Sequence, residues 1–113
     1  MADCLFCKII AGTIPSSKVY EDEDSYAFGD INPQAPTHVL IVPRKHIASL
    51  DHAKPEDINA LGHLHAVAAE IARRKGLSNG YRTVINTGED AGQTVDHLHV
   101  HLLGGRAFLW PPG

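Results

Sequence analysis

The 113-residue sequence lacks the features that mark several specialised classes of protein. It contains only two cysteines, too few for a secreted scaffold built on disulfides. Its formal net charge of -3 gives no electrostatic basis for binding a nucleic acid polymer. No apolar run approaches the length that spans a membrane, and the N-terminus lacks the basic-then-apolar order of a signal peptide. We therefore expect a cytoplasmic protein whose partners include neither membranes nor nucleic acid polymers.

The amino-acid composition of the chain is that of an ordinary globular protein, with 43% hydrophobic and 20% charged residues. Neither repeats nor low-complexity segments are present, so we expect one domain with a single core. Histidine is the residue type in excess, with eight in the chain. Three of the eight alternate with aliphatic residues in one short stretch, which makes that stretch the first candidate for function.

The stretch from Asp96 to Gly105 has a period of two, which predicts a strand with alternate side chains on opposite faces. His97, His99 and His101 would share one face, and the aliphatic residues between them would bury the other face against a helix. Core packing does not explain three imidazoles in a row, because each has ring nitrogens that need partners. From this stretch alone, three interpretations remain open: solvated histidines on an edge strand, ligands of one metal ion, or nucleophilic and acid–base catalysis. Asp96 is left unassigned.

Hydrophobic residues at helical spacing predict a short helix from Cys4 to Gly12 and a long one from Pro55 to Lys75. Acidic residues begin the long helix and basic residues end it, as the helix dipole favours. Six apolar residues form its predicted buried stripe: Ile58, Leu61, Leu64, Ala68, Ile71 and Ala72. His63 and His65 on this helix, and His52 in the loop before it, are interpreted as solvated or flanking the core.

Runs rich in β-branched and aromatic residues predict further strands at 19–21, 25–28, 38–43 and 81–86. The first two form a hairpin around an acidic turn, and the third is apolar throughout, as in a central strand. A glycine-rich loop over 87–94 joins the last of them to the histidine stretch, so those two should be antiparallel neighbours. Backbone N–H groups of this loop could face an anion. The fold class is therefore α+β, an antiparallel sheet of about five strands with the long helix on one face.

Several separated segments together resemble the histidine triad (HIT) family. The run from His97 to Leu103 matches its pattern His-φ-His-φ-His-φ-φ, where φ is a hydrophobic residue. The segment from Asp30 to His38 looks like the family's upstream loop, and that from Asn86 to Thr94 looks like its phosphate loop. Gly104 to Arg106 and the ending Trp110 to Gly113 are similar to the Hint branch, the histidine triad nucleotide-binding proteins.

The resemblance covers nearly the whole chain and implies a single HIT domain over residues 1–113. It also implies a HIT-like fold and a homodimer in which the two sheets join into one. The implied activity is hydrolysis of purine nucleoside 5′-phosphoramidates, nucleotides such as AMP that are linked through a P–N bond to an amine. The reaction would pass through a nucleotidyl-histidine and would need no catalytic cofactor.

By the same resemblance, His99 is the nucleophile, because a neutral imidazole nitrogen can attack the α-phosphorus. His101 would contact the phosphate or the leaving amine, and His38 would support the cluster through a proton or hydrogen-bond relay. Asp30 would accept hydrogen bonds from the ribose hydroxyls. Leu5, Phe6, Ile9, Phe28 and Ile31 would wall the base pocket, although each can equally belong to the core. Besides these residues, the predicted nucleotide contacts are Asn86, Gly92, Gln93, Thr94 and Trp110.

The pair Cys4-x-x-Cys7 is by itself a weak indication of a metal site. Some bacterial HIT proteins and the related galactose-1-phosphate uridylyltransferases hold zinc between such a pair and two histidines. The corresponding histidines here are His46 and His97. Two thiolates and two imidazoles form a closed tetrahedral set, which is typical of structural rather than catalytic zinc. The alternative is a pair of reduced thiols with no metal.

Two other functions remain open from the sequence. One is a non-catalytic nucleotide-binding or scaffold protein, and the intact His99 argues against it. The other is a dinucleoside polyphosphate hydrolase of a sister branch, which the Trp110 to Gly113 ending disfavours. Turnover of an AMP-amine, compared with that of a diadenosine polyphosphate, discriminates all three functions.

Overall fold

The computed structural model describes residues 3–113, which form a five-stranded antiparallel sheet with one helix on each face. The helices are α1 (Leu5–Ile10) and α2 (Ile58–Arg74). The strands are β1 (Lys18–Glu21), β2 (Ser25–Gly29), β3 (Thr37–Pro43), β4 (Tyr81–Val84) and β5 (Val100–Gly104). Short 3-10 turns at Leu50–His52 and Pro55–Asp57 precede α2. Among the residues described, no helix combines the length and the apolar character needed to cross a membrane.

The strand order is β1-β2-β3-β5-β4, so β3 is central, as its apolar sequence predicts. β1 and β2 form the predicted hairpin, and β5 lies between β3 and β4 and pairs with both in antiparallel register. The prediction that β4 and the histidine segment are neighbours is therefore confirmed. Pro43 ends β3, where its missing N–H does least harm to the ladder.

The helix α2 packs on the sheet face that carries the aliphatic residues of the histidine segment. Leu98, Val100 and Leu102 are buried there together with side chains of α2. The predicted stripe of α2 is wrong at one position, because Ile58 is 65% exposed. The buried positions of the helix are Leu64, Val67, Ala68, Ile71 and Ala72, and the residue directly before the helix, Asp57, is also buried. Asp57 rather than Ile58 thus continues the buried stripe. Val67 also belongs to this stripe, although the sequence pattern did not predict it.

The histidine segment becomes a strand later than predicted, because β5 begins at Val100 and not at His97. Residues 95–97 form a bend, and the N–H of Leu98 donates to the carbonyl of Ile47. Pairing between β3 and β5 stops at Ile41 and Val100, close to Pro43, which offers no N–H to extend it. Side chains nevertheless alternate between the two faces of the sheet as far back as Leu98. The predicted burial of Leu98 is therefore correct, although this residue lies before the strand begins.

The short helix α1 covers the opposite face of the sheet. Its Phe6 and Ile9 are buried against Phe28 and Leu40, whose neighbours along β2 and β3 face α2 instead. Cys4 caps the helix, and its sulfur accepts a hydrogen bond from the N–H of Cys7 at 3.4 Å. The fold thus brings the N-terminal helix onto the face where the histidines lie.

Candidate functional site

His99 and His101 lie side by side on the face that carries α1. His101 is the second residue of β5 and is paired with Leu40 of β3, whereas His99 comes just before the strand. Their ring centroids are 5.0 Å apart. Phe6 of α1 packs edge-on against His99, with the centroids 5.1 Å apart and the ring planes at 87°. Two ring contacts and a buried position therefore hold the His99 ring in one orientation.

A hydrogen bond to the backbone determines which nitrogen of His99 carries the proton. Nδ1 of His99 lies 2.7 Å from the carbonyl oxygen of His97. A carbonyl can only accept, so Nδ1 donates, and in the neutral ring Nε2 is left with a free lone pair. This is the protonation state that a nucleophilic imidazole requires.

A second chain of hydrogen bonds determines the protonation of His38 and His101. The backbone N–H of Gln34 donates to Nδ1 of His38 at 3.0 Å, so a neutral His38 carries its proton on Nε2. That Nε2 lies 2.9 Å from Nδ1 of His101, to which it donates, and the proton of His101 is then on Nε2.

Burial lowers the pKa of His38, against the opposing effect of Asp30. Burial, followed by the neighbouring His99 and His38, lowers the pKa of His101 to about 4. Both rings are therefore neutral at neutral pH.

Asp30 joins this cluster through one carboxylate oxygen. Its Oδ2 lies 3.4 Å from Nε2 of His38, and its Oδ1 accepts from the N–H of Asn32 at 2.8 Å. Asp30, His38 and His101 are close enough for their donor atoms to share a cation. A cation on Nε2 of His38 would move the proton to Nδ1, where it would face the N–H of Gln34. The hydrogen bonds therefore favour a proton relay at these residues over a metal site.

The four predicted metal ligands converge between α1 and the sheet. Nδ1 of His97 lies 3.4 Å from Sγ of Cys4 and 3.6 Å from Sγ of Cys7. Nδ1 of His46 lies 3.4 Å from Sγ of Cys7 and 3.2 Å from Nδ1 of His97. A tetrahedral zinc ion with ordinary bond lengths separates nitrogen from sulfur by about 3.5 Å and two nitrogens by about 3.3 Å. The donor set and its spacing thus fit zinc.

The surroundings of these ligands also suit a cation. Nε2 of His97 donates to the carbonyl of Pro43 at 2.8 Å, which leaves Nδ1 unprotonated and directed toward the other ligands. Burial and the neighbouring Cys4 raise the pKa of the Cys7 thiol. A dication would reverse that effect, because it stabilises the thiolate form. Four protein ligands leave no open position, so the ion that fits here would support the structure and not react with a substrate.

The predicted base-pocket residues are not all brought together. Phe6, Ile9 and Phe28 are buried in one cluster, with Phe6 and Phe28 in edge-on contact at 5.4 Å. Ile31 is fully exposed, and Trp110 is 82% exposed. Of the remaining predicted contacts, Leu5 and Thr94 line an open cleft of about 670 Å³ beside the predicted metal ligands. Its other lining residues are Asp3, Cys4, His46, Val95 and Asp96.

The predicted phosphate loop is held in shape by the side chain of Gln93. Its Nε2 donates to the carbonyls of Ala48 and Val95 at 2.8 and 3.1 Å, and its Oε1 accepts from the N–H of Gly88 at 3.0 Å. The N–H of Gly92 donates within the loop, to the carbonyl of Glu89. Gly88 and Gly92 both have positive φ angles, which only glycine adopts without strain. The polar atoms of Gln93 therefore shape the loop, whereas Thr94 is exposed.

Sequence analysis missed the contribution of Gln34, and no residue-specific signal could have revealed it, since every non-proline residue has a backbone N–H. The three histidines predicted to be solvated or to flank the core each have a hydrogen-bond partner. His52 bonds the hydroxyl of Ser49, His63 bonds the carboxylate of Asp22, and His65 bonds the carbonyl of Leu61.

The model of the HIT domain family matches residues 11–108 of this chain. The chain belongs to the HIT domain family. A 14 kDa zinc-binding protein of Zea mays is 53% identical over 111 residues, which are 96% of this chain and 87% of that protein. These matches confirm the family that the spaced motifs indicate.

Solved structures agree with the HIT fold over its whole length. A HIT family hydrolase from Legionella pneumophila has a TM-score of 0.96 and 49% identity, and the match covers 98% of this chain and 100% of that one. A histidine triad nucleotide-binding protein from Candida albicans has a TM-score of 0.82 and 37% identity, covering 98% of this chain and 85% of that one. The predicted fold class is thus confirmed.

Proposed function

We propose that this HIT protein hydrolyses purine nucleoside 5′-phosphoramidates, breaking the P–N bond between a nucleotide such as AMP and an amine. The observation that carries the proposal is the hydrogen bond from Nδ1 of His99 to the carbonyl of His97, which leaves Nε2 as a nucleophile. The names of the structural relatives, a hydrolase and a nucleotide-binding protein, support the same class of activity.

In the first step, Nε2 of His99 attacks the α-phosphorus and the P–N bond breaks, which gives a nucleotidyl-imidazolium and the free amine. The departing nitrogen takes the Nε2 proton of His101, whose Nδ1 is already held by His38. This step consumes one proton, which solvent restores to the relay. In the second step, water displaces His99 from phosphorus and releases one proton, so the overall reaction is hydrolysis with no net change in the enzyme.

The substrate contacts in this proposal follow the predicted assignments. The ribose hydroxyls would donate to the Asp30 carboxylate, and Asn86 and Thr94 would donate to the phosphate oxygens. Gln93 would act indirectly, because its amide holds the phosphate loop through Gly88 and Ala48. A contact of phosphate with the N–H of Gly92 would require the loop to release the Glu89 carbonyl.

Zinc and a homodimer complete the proposal. Zinc on Cys4, Cys7, His46 and His97 would tie α1 to the sheet, and the zinc-binding relative of maize supports this. β4 is an edge strand, and an edge can extend a sheet by pairing with a second copy. The exposed Trp110, in the C-terminal tail after β5, would be covered in such a dimer, near the partner's active site.

The activity is tested by comparing two substrates at equal concentration, AMP joined through a P–N bond to a fluorescent amine and a diadenosine polyphosphate. The proposal expects rapid release of AMP and amine from the first and slow cleavage of the second. Rapid denaturation and mass spectrometry should find an AMP adduct on the peptide that contains His99. Preferential cleavage of the diadenosine compound would favour the dinucleoside hydrolase, and nucleotide binding without cleavage of either compound would favour the scaffold function.

A further inference from the structure

Arg106 makes a contact that the proposed reaction does not use. It lies two residues after the end of β5, and its Nε donates to the backbone carbonyl of Gln34 at 3.0 Å. Its Nη1 donates to the carbonyl of Ala107 at 2.9 Å, and its guanidinium stacks on the ring of Phe108 at 4.2 Å from the centroid. One side chain thus holds both the start of the C-terminal tail and the loop before β3.

The residue that Arg106 holds is the one that directs the proton of His38. The N–H of Gln34 donates to Nδ1 of His38, and Nε2 of His38 then donates to His101. The side chain of Gln34 adds a bond to the carbonyl of Asn32 at 3.0 Å, which closes the loop on itself. Both backbone groups of Gln34 are therefore engaged, the N–H by the relay and the carbonyl by Arg106.

The neighbouring backbone shows how closely the two segments approach. A Cβ atom placed on Gly105 would lie 2.9 Å from Cβ of Pro36, closer than real side chains come. Gly105 also has a φ of +90°, which a side chain would strain. Glycine therefore lets the chain after β5 lie directly against the loop, where Arg106 can reach the carbonyl of Gln34.

We propose that Arg106 is a positioning residue, which keeps Gln34 in place and so keeps the proton of His38 on Nε2, facing His101. The catalytic consequence rests on the proposed function, because His101 is the proton donor to the leaving amine there. The same bond links the tail to the relay, since Arg106 also holds Phe108.

The test reads the position of the proton directly. Long-range ¹H–¹⁵N correlation spectra of the full-length labelled protein, recorded near neutral pH without substrate, report which ring nitrogen of His38 is protonated. The wild type should show the Nε2-protonated form. Gln34→Pro removes the N–H and is the positive control, in which His38 should move toward the Nδ1-protonated form. Arg106→Met should move His38 in the same direction, to a smaller extent.

The matched control is Arg82→Met. Arg82 also stacks on Phe108, with its guanidinium carbon 5.1 Å from the ring centroid, but its hydrogen bond goes to the carbonyl of Leu109 and not to Gln34. This variant should leave the His38 spectrum unchanged. Arg106→Met should lower kcat about fivefold with little change in KM, as expected when one hydrogen bond that orients a catalytic group is lost.

A His38 proton that stays on Nε2 in Arg106→Met, or that moves equally in Arg82→Met, overturns the proposal. So does a Gln34→Pro variant with the wild-type spectrum. If Arg106→Met moves the His38 proton but leaves kcat unchanged, only the catalytic consequence of the proposal is overturned. Because the spectra need no substrate, they decide the role of Arg106 even if the wild type fails to cleave a phosphoramidate, a result that would overturn only the proposed function.

Discussion

Which ring nitrogen carries the proton decides what each clustered histidine can do. His99 has its proton on Nδ1 because the His97 carbonyl accepts it, whereas His38 and His101 have theirs on Nε2. In the proposed reaction, two neighbouring histidines of one motif thereby have opposite roles, a nucleophile with a free Nε2 and a donor with a protonated Nε2.

Replacing His99 with alanine tests the nucleophile. Turnover of an AMP-amine by His99→Ala should fall about 10³-fold or more, because no other imidazole nitrogen replaces Nε2 in the attack on phosphorus. AMP affinity, measured by calorimetry, should be retained, since the predicted phosphate and ribose contacts are unchanged. His65→Ala, an exposed histidine on α2, is the control and should be as active as the wild type. Hydrolysis by His99→Ala at close to the wild-type rate would rule out the assignment.

The low pKa of His101 predicts a pH-dependent stability. Burial and the facing His38 and His99 lower this pKa to about 4, against the effect of Asp30, whereas an unfolded histidine titrates near 6.5. Between these values the unfolded chain binds a proton that the folded chain does not, so stability falls as the pH falls. His101→Gln cannot bind that proton and should lose less stability than the wild type between pH 7 and pH 5. Urea unfolding at both pH values measures this, and equal losses would contradict it.

The histidine motif shows what a sequence can and cannot specify about a site. The alternation of residues places His99 and His101 on one face, and the structure agrees. The proton positions depend on the His97 carbonyl and the Gln34 N–H, groups that nearly every residue has, so no residue type signals them. The predicted contact at Ile31 likewise depends on a loop conformation, and in the structure its side chain is fully exposed.

Secondary structure elements were predictable where burial has a clear period. The sheet neighbours, the hairpin and both helices follow from such patterns. The ends of the elements depend on tertiary contacts instead. β5 starts at Val100 because its partner β3 ends at Pro43. α2 starts at Ile58 because the residues before it form a 3-10 turn that buries Asp57, whose carboxylate accepts from the N–H of Lys54 and from Nζ of Lys45.

The corrected stripe of α2 predicts unequal effects for two substitutions on one helix. Val67 is 2% exposed and packs in the sheet-facing core, whereas Ile58 is 65% exposed. Val67→Ala should lower the free energy of unfolding by about 2 kcal/mol, from lost burial and the cavity left behind. Ile58→Ala removes more carbon atoms but should change it by less than about 0.5 kcal/mol. Urea denaturation of both variants measures the difference, and a larger loss for Ile58→Ala would contradict the observed stripe.

The proposed zinc site concerns the assembly of the whole chain. Cys4 caps α1 and Cys7 lies within it, His46 follows β3, and His97 precedes β5, so the cluster joins segments that are far apart in sequence. α1 has only six residues, too few to be stable as a helix by itself. It also carries Phe6, which touches both His97 and His99. Whatever holds α1 in place therefore also holds His99, the proposed nucleophile.

Removing zinc should lower stability first and activity second. An ion that binds only the folded chain adds about 4 kcal/mol to the free energy of unfolding when its free concentration is 1,000 times Kd. A chelator should therefore lower the melting temperature, and turnover should fall only as α1 loosens and Phe6 leaves His99. Cys4→Ala with Cys7→Ala should melt as early as the chelated wild type and should no longer respond to the chelator. Elemental analysis of protein purified without added metal should find one zinc per chain. Protein that contains no zinc and keeps its melting temperature in chelator would show that the two cysteines are ordinary reduced thiols, and that packing of Phe6 and Ile9 alone holds the helix.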